Sequence, residues 1–157
     1  MNREKLSTRV PNTGQKKSYL KFDDGYYYQK SPFCKTKRFV NNNDRTITDK
    51  VTGLKWIKSL TTVWYEAVLI CKKLNFNKIN SWRLPNINEL MSIVDYFKED
   101  PPINNIFDCI TDGYWSSTTY VGSPSTAWVI YFDSSGVYFT GKSFRYSIRT
   151  VCDIGNN

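Results

Sequence analysis

Residues 81–90 read Ser-Trp-Arg-Leu-Pro-Asn-Ile-Asn-Glu-Leu. Proline disfavours helical backbone at the residue before it, so an extended segment should end at Leu84. Asn86 can then cap a helix, and Glu89, three residues later, completes a variant of the capping box. The stretch therefore predicts a sharp loop-to-helix entry and a helix over residues 84–97. Its apolar face would consist of Leu90, Ile93, Val94 and Phe97, which recur at helical spacing.

The segments on either side of this stretch predict the remaining elements. A second helix is expected over residues 63–74, where Val63, Ala67 and Cys71 share one face, with Thr61 or Thr62 as its cap. Alternation and turn residues predict a turn leading into an aromatic strand at 22–28, strands within 39–49 and 51–57, and a strand-rich region at 113–152. This order is typical of an α+β fold with two helices and antiparallel sheets.

In the predicted strand around residue 130, Trp128, Ile130 and Phe132 would face the core, and Val129, Tyr131 and Asp133 would face solvent or a ligand. The five tryptophans are expected in the core because of their size. They are Trp56, Trp64, Trp82, Trp115 and Trp128. Arg83 and Glu89 could form an ion pair across the helix start, or remain separately solvated.

The 157 residues favour a single domain. Residues 1–38 are expected to form a basic N-terminal arm and lead-in strand, which belong to the same domain as residues 39–157. The net charge of +8 is concentrated near the N-terminus, since residues 1–58 hold fourteen Lys and Arg against five Asp and Glu. This asymmetry indicates either a solvated basic segment or an acidic partner such as a sulfated glycan. Nucleic acid is not favoured, because no known signature organises the cations. These are Lys16, Lys17, Lys21, Lys30, Lys35, Lys37 and Arg38.

Histidine is absent, which excludes His-based triads and most catalytic zinc sites. The four cysteines, Cys34, Cys71, Cys109 and Cys152, include no C-x-x-C pair, so a zinc ribbon or a thioredoxin-like motif is excluded. They could form two disulfides or remain free thiols. No metal site or cofactor is expected. No signal peptide or membrane-spanning segment is recognisable, so display on a cell or virus surface would depend on another component.

Several motifs occur in an order that resembles one protein family. They lie at residues 43–56, 64–67, 71–74, 81–96, 114–119, 127–128, 142 and 148–151. Together they resemble the C-terminal domain of collagen-like bacterial adhesins, a domain of unknown function, over residues 39–152. The resemblance implies a C-type-lectin-like fold, close to the formylglycine-generating enzyme type. It also implies a Cys71–Cys152 bridge, as in many C-type lectins, which would leave Cys34 and Cys109 as a second pair.

Residues 120–146 resemble the variable segment of proteins that belong to diversity-generating retroelements. In those proteins, randomised adenine-containing codons cannot encode Trp, Met, Lys, Gln or Glu. These five types make up 28 of the 157 residues, yet only Trp128 and Lys142 represent them between 120 and 146. The rest of the segment is rich in Tyr, Ser, Gly, Thr, Val, Phe and Asp, as in an antibody paratope. Ordinary strand and turn composition is the alternative explanation.

The sequence therefore predicts a non-enzymatic domain that binds a protein or glycan ligand on another cell or virion surface. Related enzymes use reactive cysteines with copper, and this chain offers no close cysteine pair. The alternative is an adhesin domain that binds acidic or sulfated polysaccharide through its basic residues. The candidate ligand-binding residues are Tyr120, Ser123, Ser125, Thr126, Val129, Tyr131, Asp133, Ser134, Tyr138, Thr140, Ser143, Phe144, Arg145 and Tyr146.

Overall fold

The computed structural model describes residues 13, 15–30, 37–99, 101–110 and 112–154, without the side chains of 58–60. The seven strands of the described residues form one sheet, in the order β1-β2-β3-β7-β4-β5-β6. Neighbouring strands are antiparallel, except that β4 and β7 run parallel. The α+β prediction is therefore confirmed. The strands are β1 Phe39–Asn41, β2 Thr46–Asp49, β3 Leu54–Val63, β4 Gly113–Thr119, β5 Thr126–Tyr131, β6 Gly136–Gly141 and β7 Arg145–Asp153.

The described residues form three α-helices, where the sequence predicted two. These are α1 Asp24–Lys30, α2 Trp64–Lys73 and α3 Ile87–Met91, and a 3-10 turn spans Asn105–Phe107. The predicted lead-in strand is wrong, because α1 occupies that position. Asp23 starts this helix by accepting the backbone N–H of Tyr26 at 2.8 Å. Its carboxylate also accepts the backbone N–H groups of Tyr19 and Leu20, and these hydrogen bonds hold its pKa at about 2.

Helix α3 confirms the predicted start and corrects the predicted end. The Asn86 side chain accepts the Glu89 backbone N–H at 2.9 Å, and the Glu89 carboxylate accepts the Asn86 backbone N–H at 2.8 Å. The helix nevertheless ends at Met91 rather than at residue 97. Val94 forms an antiparallel bridge with Ile103, and this tertiary contact draws the chain out of helical geometry.

Helix α2 lies where it was predicted, but its predicted threonine cap is wrong. The N-cap is Val63, which makes no side-chain capping bond. Thr61 and Thr62 remain in β3, paired with Ser147 and Tyr146 of β7, so neither can take the capping position.

The two larger clusters of buried hydrophobic residues lie on opposite faces of the sheet. Ile130 of β5 and Phe132, which directly follows it, pack in one cluster with Leu90 of α3, whereas Val129 packs in the other with Cys71 of α2. Because successive strand residues point to opposite faces, α2 and α3 cover opposite sides of the sheet.

Three tryptophans, Trp56, Trp82 and Trp115, are buried as predicted. Trp64 is partly buried and packs at the edge of a core cluster, whereas Trp128 is partly buried and belongs to no core cluster, so only the assignment of Trp128 is wrong. Among the described residues, no helix combines the length and apolarity needed to cross a membrane.

The cysteines differ from the pairing that the family resemblance implied. Cys71, Cys109 and Cys152 are free thiols, so the Cys71–Cys152 bridge is not formed. Cys71 packs in the cluster beneath α2, whereas Cys152 packs against Ile79 and Trp82 in a separate cluster. Cys34 lies outside the described residues.

Candidate functional site

Strands β5 and β6 carry a shallow depression on the face of the sheet where α2 lies. Helix α2 packs against β3, β7 and β4, and the β5–β6 hairpin continues the sheet beyond them. The depression has a volume of about 350 Å³ and will be called the β5–β6 depression. It is lined by Val129, Tyr131, Asp133, Ser134, Tyr138, Phe139 and Thr140. All but Phe139 were predicted as ligand-binding residues.

A row of tyrosines crosses the sheet next to the depression. The Tyr131 ring lies 5.7 Å from the Tyr138 ring and 5.8 Å from the Tyr146 ring, each in edge-to-face geometry. The Tyr131 hydroxyl donates a hydrogen bond of 2.8 Å to the Tyr146 hydroxyl. Burial raises the pKa of Tyr131, and this hydrogen bond raises it further by a smaller amount. Tyr131 is therefore a neutral ring whose position is fixed by its two aromatic neighbours and its hydrogen bond.

Two glycines leave room for the tyrosine rings. A Cβ at Gly113, on β4, would lie 2.7 Å from Cδ1 of Tyr146 and 3.1 Å from Cζ of Tyr131. A Cβ at Gly136, on β6, would lie 2.3 Å from Cε2 of Tyr138. The absence of side chains at these two positions lets the rings lie over the strands.

The depression combines apolar and polar groups. Val129 is fully buried at 0% exposure, so the expectation that it faces outward is wrong and it forms part of the floor instead. Tyr138 is 55% exposed and supplies an accessible ring. Asp133 and Ser134 are exposed in the β5–β6 turn, and Thr140 adds a second hydroxyl on β6. A carboxylate, hydroxyls and aromatic rings in one concave surface can bind a ligand that has both hydroxyl groups and an apolar side.

Tyr120 does not join the tyrosine row. It stacks on Phe139 with ring centroids 4.0 Å apart and an interplanar angle of 2°, and Trp128 packs edge-on against both rings. Trp128 alternates with Val129 along β5, so this aromatic trio lies on the other face of the hairpin. Phe139 was not predicted as a ligand-binding residue, and its ring lies in this trio, on the face opposite the one that Tyr138 and the depression occupy.

The other predicted residues lie in the turns that flank β5 and β6. Ser123, Ser125 and Thr126 form the β4–β5 turn, where the Ser123 carbonyl accepts both the backbone N–H and the hydroxyl of Thr126. Ser143, Phe144 and Arg145 follow β6 and are exposed. The structure therefore brings Tyr131, Asp133, Ser134, Tyr138 and Thr140 into the depression, puts Tyr146 beside it, and leaves these turn residues outside its lining.

Lys142 holds the segments next to the β5–β6 hairpin in place. Its side chain is buried, with 6% exposure, and its ammonium group donates hydrogen bonds of 2.8 Å to the Thr119 hydroxyl and the Pro124 carbonyl. The ammonium also lies 3.9 Å from the centre of the Trp64 ring. Lys142 therefore ties the β4–β5 turn and the start of α2 to the end of β6.

The described basic residues divide into paired and solvent-facing groups. Arg38 donates two hydrogen bonds to the buried carboxylate of Asp49, at 2.6 and 3.0 Å, so it is not available to an external anion. Lys35 lies outside the described residues. Among the N-terminal cations predicted to bind an acidic partner, the exposed ones are Lys16, Lys17, Lys21, Lys30 and Lys37. Within the described part of the chain, no group of three or more Cys, Asp or Glu side chains is arranged to hold a metal ion.

Comparison with known proteins places this architecture in a family. A search of curated proteins found no match. The family model described as Lcl C-terminal domain matches residues 45–152, which include strands β2 to β6 and the whole β5–β6 depression. Helix α1 and strand β1 lie outside the matched region. The chain belongs to the Lcl C-terminal domain family.

Proposed function

We propose that this chain is a non-enzymatic recognition domain that binds a protein or glycan ligand through the β5–β6 depression. Membership of the Lcl C-terminal domain family suggests an adhesin-type or surface domain. The observation that carries the proposal is the lining of the depression, which combines the ring of Tyr138 with the carboxylate of Asp133 and the hydroxyls of Ser134 and Thr140.

The tyrosine row supports this proposal because its rings are held in place before a ligand arrives. Tyr131 is fixed by its hydrogen bond to Tyr146, and Tyr146 packs on the Trp115 ring at 5.1 Å. Rigid aromatic side chains lose little conformational entropy on binding, so more of the contact energy contributes to affinity. Tyr138 extends the row to the exposed edge, where a ligand can reach it.

We further propose that the fold is C-type-lectin-like and that residues 120–146 form a retroelement-diversified surface. Lys142 and Trp128 are the two residues of this segment that adenine randomisation could not have produced, and both have framework roles. Lys142 is buried by its hydrogen bonds, and Trp128 packs against Tyr120 and Phe139. Several residues that randomisation can produce, including Tyr138 and Phe144, are exposed.

The binding proposal is tested by a glycan array and a set of immobilised surface proteins, probed with the wild type and with Tyr138→Ala. Tyr96→Ala is the matched control, since Tyr96 is also 55% exposed and does not line the depression. The expected result is at least a tenfold loss of affinity for Tyr138→Ala and unchanged affinity for Tyr96→Ala, for any probe that the wild type binds.

Equal affinity of all three proteins, with all three folded by circular dichroism, would place binding elsewhere and refute the proposal. Sequencing the DNA that flanks the gene tests diversification separately. A near-copy of the segment that encodes residues 120–152, differing only at adenines and lying beside a reverse transcriptase, is expected. Its absence would leave a recognition surface of fixed specificity.

A second candidate function is the binding of acidic or sulfated polysaccharide through the basic N-terminal segment. It is favoured by the arrangement of charge around α1. The carboxylates of Asp23 and Asp24 accept hydrogen bonds from within the segment, whereas Lys16, Lys17 and Lys30 are exposed. The segment therefore presents cations outward.

Heparin affinity chromatography tests this second function. Retention that falls steeply with salt, and that decreases when Lys16, Lys17 and Lys30 are replaced by Gln, is expected. Retention that does not respond to salt would exclude the basic segment as the binding surface.

A further inference from the structure

Strand β6 is the exposed edge of the seven-stranded sheet, and it lacks the features that usually prevent an edge from pairing with another chain. Its sequence, Gly-Val-Tyr-Phe-Thr-Gly at residues 136–141, contains no charged residue and no proline. Its register with β5 runs without a bulge over all six residue pairs. Natural proteins usually protect an edge strand by charge, proline, a bulge or shortness. None of these devices is present in β6.

The free hydrogen-bonding groups of β6 can be identified from its register. The Lys142 backbone N–H donates to the Ser125 carbonyl at 2.9 Å, which makes the adjacent Thr126–Gly141 pair a non-hydrogen-bonded one. By alternation, Val137 and Phe139 also point their N–H and C=O groups away from β5. The Gly141 N–H points the same way, and its carbonyl accepts the backbone N–H of Phe144.

We infer that β6 pairs antiparallel with β6 of a second copy of this chain, about a two-fold axis at Phe139. In this register Phe139 of each copy exchanges two hydrogen bonds with Phe139 of the other. The Gly141 N–H of each copy donates to the Val137 carbonyl of the other, which adds two more. Phe139 is 49% exposed and stacks on Tyr120, so pairing would join the two aromatic trios into one continuous cluster.

The properties of β1, at the opposite edge of the sheet, explain why β6 pairs with a second β6 rather than with β1. Strand β1 has only three residues, and short edge strands are poor templates for pairing. Pairing of β6 with β1 would propagate into an open fibre, whereas pairing of β6 with itself closes after two copies. Charge also favours the antiparallel arrangement, since Asp133 precedes β6 and Arg145 follows the turn after it, so the acidic end of one strand faces the basic end of the other.

The size of the contact predicts a weak dimer. A strand of six residues is about 20 Å long, and its pairing buries less than the roughly 1,200 Å² of a standard interface. We therefore expect a Kd between about 10 μM and 1 mM. The pairing uses the edge of β6 and leaves the face that bears the β5–β6 depression open, so the dimer would present two depressions side by side. Two linked sites increase avidity for a repetitive surface.

Sedimentation velocity at protein concentrations from about 10 μM to 1 mM tests the pairing. The wild type is expected to shift toward twice its monomer mass of 18.4 kDa. Phe139→Lys and Phe139→Glu should each remain monomeric, because like charges would face each other across the axis. An equimolar mixture of the two variants should dimerise, because opposite charges then face each other. Only a register that brings residue 139 next to itself predicts this rescue.

A second pair of variants keeps the inference testable if Phe139 cannot be replaced without unfolding. Gly141→Pro removes an outward N–H, whereas Gly141→Ala keeps it, and a Cβ at Gly141 approaches no atom closer than 3.4 Å. The proline variant should be monomeric and the alanine variant should dimerise. A wild type that stays monomeric at about 1 mM, or a dimer that persists in Phe139→Lys or Gly141→Pro, would overturn the inference.

Discussion

Replacing Gly113 by alanine tests whether the tyrosine row depends on a missing side chain. The new Cβ would lie 2.7 and 2.9 Å from two ring carbons of Tyr146 and 3.1 Å from one of Tyr131. The Tyr146 ring cannot simply move aside, because it packs on Trp115 and hydrogen-bonds Tyr131. Either the rings separate and lose their hydrogen bond, or β4 shifts.

The expected cost follows from three contributions. Overpacking costs about 1–3 kcal/mol. Loss of the hydrogen bond between Tyr131 and Tyr146 costs about 1 kcal/mol. Replacing glycine by alanine reduces the entropy of the unfolded chain and returns about 0.4–1 kcal/mol. The free energy of unfolding of Gly113→Ala should therefore be about 2 kcal/mol below that of the wild type.

Urea unfolding at 25 °C, followed by tryptophan fluorescence, measures this difference. Gly141→Ala is the control, since its Cβ meets only ordinary contacts, and the lower entropy of its unfolded chain should raise its unfolding free energy by about 0.4–1 kcal/mol. In a Tyr146→Ala background the ring is gone, so adding Gly113→Ala should cost little. A Gly113→Ala protein as stable as the wild type, or equal costs in the two backgrounds, would refute the reasoning.

Two further predictions concern stability. Burial raises the pKa of the Cys71 thiol from 9.0 to about 12, so the folded state keeps a proton that the unfolded chain releases above pH 9. The resulting stabilisation is complete below pH 9 and decreases by up to about 1.4 kcal/mol per pH unit above it. Urea unfolding at pH 8, 9 and 10 should therefore show a smaller alkaline loss for Cys71→Ala, and identical losses would contradict this. Glu89→Ala should lower the unfolding free energy by about 1–2 kcal/mol, because Glu89 accepts the Asn86 backbone N–H and two N–H groups of Arg83. Thermal unfolding should place Glu89→Gln between this variant and the wild type, and a Glu89→Ala protein as stable as the wild type would exclude the cap.

The local signals in the sequence were reliable where the interaction partners are close along the chain. The capping box of Asn86 and Glu89 formed as expected, and Arg83 pairs with Glu89 through two hydrogen bonds of 2.7 Å. The length of α3 depended instead on a bridge between Val94 and Ile103, whose position the local pattern does not encode. Helical spacing continues past residue 91, but the tertiary contact determines the backbone there.

Helix α1 shows a conflict between two local signals. The three consecutive tyrosines at 26–28 favour a strand by intrinsic propensity. Asp23 directly precedes helix α1 and can accept the first free N–H groups of a helix, as it does with Tyr26. The prediction gave weight to the tyrosines and not to the aspartate.

The sequence predicted where the candidate site lies, but not which of its residues are buried. Alternation along β5 correctly separates Val129 and Tyr131 from Ile130 and Phe132, because the strand period is two. It does not show whether the second face is covered. In the structure, Val129 packs with the residues beneath α2 and is buried. The depression begins at Val129 and extends away from the helix. Placing that boundary requires the position of a helix that is distant in sequence.

Within residues 120–146, the side chains that hold the backbone are separate from those that face solvent. Lys142 ties two loops together, and Ile130 and Phe132 fill the core, whereas Tyr138 and Phe144 are 55% and 59% exposed. Substitutions at exposed positions usually change stability by less than about 0.5 kcal/mol, and cavities in a core cost several times more. The exposed set can therefore vary in sequence while the fold is retained. The proposed recognition function would require this separation, and Val129 marks its limit, because it lines the depression yet cannot be changed without disturbing the core.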